Sequence, residues 1–262
     1  MIFSWLKRRR RRKTLEKPFP AEWREWLTQR VPHYRRLNDS DQEKLRELVQ
    51  VFVAEKIWEG CKGLTVTDEM KATIAGQACL LLLGIEHDYF RNVKTILVFP
   101  RQFVPRENLD MDESGVMHES NEAALGQAWE NGPVILSWAD SKAGGRNHQD
   151  GLNVVLHEFA HKLDLRDGMV NGTPPLQDRR QYARWAEVMR REYEQLVENS
   201  RKHRATLLDD YGATDPGEFF AVAVECFFEK AIQMRQKHRE LYETLRDYFG
   251  QDPAARMTRE RN

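Results

Sequence analysis

The 262-residue chain predicts an α+β protein, mainly helical, with a small sheet in the middle of the sequence. Three observations carry that reading. Apolar residues recur at helical spacing as far as Leu83, β-branched alternating stretches lie between Val93 and Trp138, and helical spacing returns from Leu152 to Phe249. Helices, then strands, then helices imply segregated elements and not a βαβ alternation.

Composition sets the class. With 40% hydrophobic and 31% charged residues the chain is that of an ordinary globular protein. Its longest apolar stretch, Ala78 to Leu83, is far shorter than the ~18–20 residues of a membrane span. Met1 to Leu6 runs into a basic block without an h-region, so no secretory leader is expected. Cys61, Cys79 and Cys226 are odd in number and set among apolar residues, which argues against a disulfide framework and for a reducing, cytoplasmic setting. The formal net charge is zero, yet Lys7 to Lys13 (KRRRRRK) is wholly basic. Residues 1–17 are therefore expected to be a flexible basic arm, capable of weak contact with an anionic surface but unsuited to reading a specific nucleic acid. Residues 18–250 are expected to form one domain and residues 251–262 a polar tail.

In chain order, Ser40-Asp41-Gln42-Glu43 reads as a capping box opening a helix whose apolar face is Leu45, Leu48, Val49, Phe52, Val53 and Ile57. Thr67-Asp68-Glu69 caps a second helix through Leu83, apolar nearly all round from Ala72 and so central to the core. Val93 to Phe99 is a strand ended by Pro100. Ala123 to Trp129 and Val134 to Trp138, joined by Glu130-Asn131-Gly132-Pro133, read as a hairpin. Ser141 to Asp150 reads as a Gly-rich loop. Leu152 to Asp164, Gln177 to Ser200, Pro216 to Lys230 and Lys237 to Phe249 read as helices.

The first of these late helices holds His157-Glu158-Phe159-Ala160-His161, an H-E-x-x-H pattern with no helix breaker. A shuffled chain of this composition would contain the pattern roughly 0.02 times. Four residues apart, the two imidazoles share a helix face and can reach one metal ion. Two neutral nitrogens hold Zn²⁺ without cancelling its charge, and the ion brings a water's pKa to about 7. Glu158 beside them is placed to accept that water's proton as general base.

A catalytic zinc also needs a third protein ligand. Asp167 stands six residues after His161, where one class of zinc peptidases places its third ligand, but that class turns on a glycine at the position held here by Asp164. Asp164, one turn beyond His161, suits an outer partner for an imidazole N–H better than a ligand. Glu218 begins another helix, with Pro216 at its first position. Two readings of it compete. It can fold back on the Asp215 backbone as part of a capping box, or it can turn to the metal; the second is favoured, because Asp215 or Thr214 can cap the helix alone.

The segments His157 to Asp164 and Tyr211 to Val222 together closely resemble the Mlc titration factor A family, bacterial zinc metallopeptidases similar to the catalytic domain of anthrax lethal factor. The resemblance implies a zincin-like fold of the gluzincin type, the small sheet preceding the H-E-x-x-H helix, and one Zn²⁺ per chain held by His157, His161 and Glu218. It implies Glu158 as general base and Tyr211, seven residues before Glu218, as the hydroxyl that stabilises the oxyanion; a plain core aromatic is the competing role for Tyr211. It further implies aminopeptidase activity on peptides and binding of the transcriptional repressor Mlc, which would modulate expression of glucose phosphotransferase genes. A regulatory, repressor-titrating module with a secondary zinc site is the alternative. Peptidases of this type lay an extended substrate on a strand edge, and Ala123 to Trp129, rich in small residues, is the edge expected here.

Overall fold

The structure, a computed structural model, describes residues 2–101, 132–146 and 151–260. The basic N-terminal stretch expected as a flexible arm is a helix, α1 (Ile2–Leu15). It is held because one of its cations finds a half-buried carboxylate. Arg11 donates to both oxygens of Glu55, at 2.7 and 2.8 Å, and lies over the Tyr89 ring at 4.1 Å. Helices α2 (Ala21–Arg30), α3 (Pro32–Arg36) and α4 (Asp39–Glu55) follow. The cap of α4 is Asn38, whose side chain accepts from Asp41 N at 2.8 Å, two residues ahead of the expected capping box. Ile57, placed by its spacing on that helix, instead begins a strand.

That strand, β1 (Ile57–Gly60), lies beside β2 (Thr95–Phe99), which lies beside β3 (Val134–Ser137), and both pairings are parallel. Between β1 and β2 runs α5 (Asp68–Leu80), capped by Thr67 as expected and buried from Ala72 onward. A β-α-β crossover is therefore present, correcting the segregated order inferred from sequence; parallel neighbours require such a connection. In β2 and β3 Ile96 pairs with Val134 and Val98 with Leu136, all four buried. Val134 to Ser137 is thus a strand of a parallel sheet, and Trp138 already belongs to the next helix; the other half of the expected hairpin, Ala123 to Trp129, lies outside the described residues.

Ser141 to Asp150 does not begin as a loop. Helix α6 (Trp138–Arg146) runs straight on from β3, and its glycines serve packing: a Cβ on Gly145 would stand 2.2 Å from the Arg30 carbonyl oxygen. Next come α7 (Val154–Asp164), α8 (Arg179–Arg201), α9 (Pro216–Glu229), α10 (Ala231–Lys237), α11 (Arg239–Phe249) and α12 (Pro253–Glu260). The core gathers on α9, which is buried from Phe219 to Glu229 and packs its phenylalanines on Tyr242 and Phe249. The expected polar tail is folded in as well. Ala254 and Met257 are buried, and the Ala254 amide donates to the Tyr242 hydroxyl at 3.0 Å. Helix α7 is sandwiched between α5, β3 and α9, which fixes its histidine face toward α9.

Candidate metal centre

Asn153 starts α7 by accepting from Leu156 N at 3.1 Å, and the run Val155, Leu156, Phe159, Ala160, Leu163 buries one side of the helix. His157 and His161 occupy the half-buried side, toward the N-terminus of α9. There Asp215 caps α9 by accepting from Gly217 N and Glu218 N, at 2.8 and 3.0 Å. With the cap supplied by Asp215, the Glu218 carboxylate turns to the histidines.

The resulting triangle has edges of 3.0 Å between His157 Nε2 and Glu218 Oε2, 3.2 Å between the two Nε2 atoms, and 3.4 Å between His161 Nε2 and Glu218 Oε2. Three donors of a tetrahedral zinc with bonds of 2.0–2.2 Å stand roughly 3.3–3.6 Å apart. Two nitrogens and a carboxylate oxygen closing on one point match that set in chemistry and in size, so these residues could hold a divalent cation, and they are the group of three or more metal-ligating side chains found among the described residues. Asp167 is not part of it; it is exposed, with its carboxylate accepting from Met169 N.

His157 is gripped from behind. Its Nδ1 lies 2.7 Å from Glu225 Oε1, and Glu225 Oε2 accepts from the Asn153 backbone amide. Glu225, two turns beyond Glu218 on α9, escapes sequence reasoning because nothing in its apolar surroundings marks it; the only available signal is a glutamate at helical spacing from the ligand in an otherwise apolar run. Asp164, expected to serve an imidazole, instead accepts from Gly172 N at 2.7 Å. Gly172 has φ +74° and leaves no room for a Cβ beside the Pro216 carbonyl, so this contact ties the loop after α7 to the start of α9.

Electrostatics follow from the geometry. Burial disfavours charge on His157, but Glu218 and Glu225 outweigh it and raise its pKa to about 10. Burial works against the Glu218 carboxylate too, and the two histidines override it, lowering its pKa to about 2. In both cases a proton on the imidazole occupies the place a cation would take. Glu158, next to His157, is raised, with burial dominating over the nearby histidines.

Tyr211 sits in a 3-10 turn, Asp210–Ala213, whose amide end is capped by Asp209 accepting from Tyr211 N at 2.9 Å. Its ring centroid is 6.0 Å from that of His157, and it is 56% exposed, so it is a rim residue and not a core aromatic. Burial, then the Glu218 carboxylate, holds its phenol proton on. Beside it opens a cavity of about 630 Å³ with His157 and Glu225 in its wall and Leu152, Val222, Asp140 and Asp209 around it.

The family described as "Glucose-regulated metallo-peptidase M90" matches residues 5–250. An uncharacterized protein of Synechocystis sp. is 37% identical over 93% of this chain and 89% of its own. The protein named Mlc titration factor A of Serratia proteamaculans is 31% identical, over 91% of this chain and 90% of its own, and that of Cronobacter sakazakii is 30% identical, over 91% and 89%.

Proposed function

This chain belongs to the glucose-regulated metallopeptidase M90 family, and from that premise we propose that it is a zinc-dependent peptidase with His157, His161 and Glu218 as ligands, Glu158 as general base and Tyr211 as oxyanion donor. The observation that carries the reading is the triangle of two Nε2 atoms and one carboxylate oxygen at zinc-like separations. Zn²⁺ at that point would supply Lewis acidity, polarising a carbonyl and bringing a water's pKa to about 7.

The remaining work falls to the side chains. Glu225 fixes the His157 ring so that Nε2 faces the centre. Glu158, its proton affinity raised by burial, takes the proton of the attacking water and returns it to the leaving amine. The Tyr211 hydroxyl, kept protonated, donates to the oxygen on which negative charge develops. Asp140 and Asp209, set in a cavity whose described lining holds no lysine or arginine, offer carboxylates to a substrate ammonium. That supports cleavage at a free N-terminus, the aminopeptidase reading.

Binding of the repressor Mlc, and through it an effect on glucose phosphotransferase genes, is proposed from the names of the relatives. It favours the second reading, a repressor-titrating protein whose zinc site is secondary. Three free cysteines, two of them buried, support a cytoplasmic location for either.

The test pairs metal analysis with cleavage of amino-acid anilides. Glu158→Gln should retain one zinc per chain while losing about 10²–10⁴-fold in turnover, and Glu218→Ala should lose metal. Near-normal turnover of Glu158→Gln would remove the base assignment. A wild-type chain that binds Mlc and cleaves nothing would leave the second reading standing.

A further inference from the structure

Once helical, the basic run divides into two faces. Lys7, Arg10, Arg11 and Thr14 recur at helical spacing on the side of α1 that meets α4 and the sheet, where they border a cavity of about 740 Å³. Trp5, Arg8, Arg9 and Arg12 form an opposite stripe, all four exposed. Trp5 is 58% exposed, with the Arg9 guanidinium over its ring at 5.6 Å. The inner cavity is also cationic, adding Arg91 and Lys94, and Glu55 is the only carboxylate in its described lining. Arg11 already engages both oxygens of Glu55. The cations are interleaved with exposed apolar side chains, Leu6 at 39% and Ile57 at 57%. In the sequence, Ile2 and Phe3 precede them.

We propose that the exposed stripe of α1 forms a docking surface for an anionic phospholipid bilayer, on which the protein sits peripherally. The charge pattern alone would suit any polyanion. The apolar residues decide between them. Trp5 and Leu6 would be inserted at the boundary between headgroups and acyl chains, where an amphipathic helix lays its apolar residues while Arg8, Arg9 and Arg12 meet the lipid phosphates. A nucleic-acid backbone offers the phosphates but nothing for Leu6. The surface needs no membrane-crossing helix, and none of the described helices is long and apolar enough to be one. Among the described residues it shares no lining residue with the cavity beside His157, so docking leaves that cavity uncovered by these contacts.

The full-length protein should sediment with vesicles of equal parts phosphatidylglycerol and phosphatidylcholine, should not sediment with phosphatidylcholine alone, and should be released by high salt. Combined substitution Arg8→Glu, Arg9→Glu and Arg12→Glu should lower vesicle partitioning on the order of 100-fold or more. The pair Trp5→Ser and Leu6→Ser, which leaves the charge unchanged, should lower it about tenfold. These side chains are exposed, and unchanged circular dichroism confirms that the fold is kept. Absence of sedimentation with phosphatidylglycerol vesicles overturns the proposal. So does duplex DNA binding that outcompetes the vesicles and is indifferent to Trp5→Ser and Leu6→Ser.

Discussion

His157 is held at both ring nitrogens, by Glu225 at Nδ1 and by the Glu218 side of the triangle at Nε2. A glutamine at position 225 would keep the shape but not the function of that grip. Its amide oxygen can accept from the imidazole N–H or from the Asn153 amide, and its NH₂ group would face whichever donor remains. Glu225→Gln should therefore weaken zinc affinity by about 10–100-fold, read by competition with a chromogenic chelator, while Asp167→Ala should leave it unchanged. Tyr211 is a different case, because it stands at the exposed rim beside His157 and not in the triangle. Tyr211→Phe should lower kcat by about 10²-fold with metal content unaltered. A fall in zinc content instead would make Tyr211 a support of the centre and not a donor to the reaction.

At the scale of elements, the two helices that carry the candidate ligands were legible and the connections between strands were not. Helix α7 shows its apolar period over three turns with a histidine pair on the other face, and α9 opens with Asp215-Pro216, a cap and a first-turn proline. Such signals are local. The direction of β2 and β3 depends on pairings between residues 38 positions apart, such as Ile96 with Val134, and no local signal records it. Helix α6 was hidden for another reason: Gly144 and Gly145 read as loop residues, whereas they are needed so that Arg30 and Asn153 can approach the helix. The basic run and the C-terminal stretch are polar in composition, yet specific contacts hold them, among them Arg11 on Glu55, Gln50 on the Thr14 carbonyl and the Ala254 amide on Tyr242. Asn153 shows how tightly one connection is used. Its Oδ1 caps α7 and its Nδ2 donates to the buried Glu229 at 3.1 Å, a carboxylate whose Oε2 has no hydrogen-bond partner among the described residues. Asn153→Ala removes the cap, costing about 1 kcal/mol, and leaves Glu229 less satisfied, costing about 1–3 kcal/mol more. Urea unfolding should show a loss of about 2–4 kcal/mol, and a loss under about 0.5 kcal/mol would refute this double role.

For the molecule as a whole, the proposed centre would couple stability to pH and to metal. Without metal, His157 carries a proton between two carboxylates, and its pKa of about 10 lies above the ordinary 6.5. Its contribution to stability is therefore full below about pH 6.5 and is lost as pH rises through about 10. Glu218 acts in the opposite direction, contributing above its ordinary 4.5 and losing that contribution only as pH falls toward about 2. On the alkaline side another group intrudes. Burial lowers Lys56 to about 8, so the folded chain gains stability between about pH 8 and 10.5, where the folded lysine has given up its proton and the unfolded one still holds it. Lys56 is held by the carbonyls of Tyr89, Phe90 and Val93, away from the centre, and acts alike with and without metal. The difference in Tm between zinc-loaded and chelator-treated protein removes its effect. Zinc at the proposed centre would need both imidazoles able to ligate, so it would compete with the His157 proton and bind more tightly as that proton leaves. Since binding to the folded state alone stabilises by RT ln(1 + [Zn]/Kd), the Tm difference should widen steadily from about pH 6.5 upward at fixed free zinc. It should vanish at every pH in His157→Ala. A difference that stays level across this range would mean that the metal does not displace the proton of His157, and the assignment of His157 as ligand would fall with it.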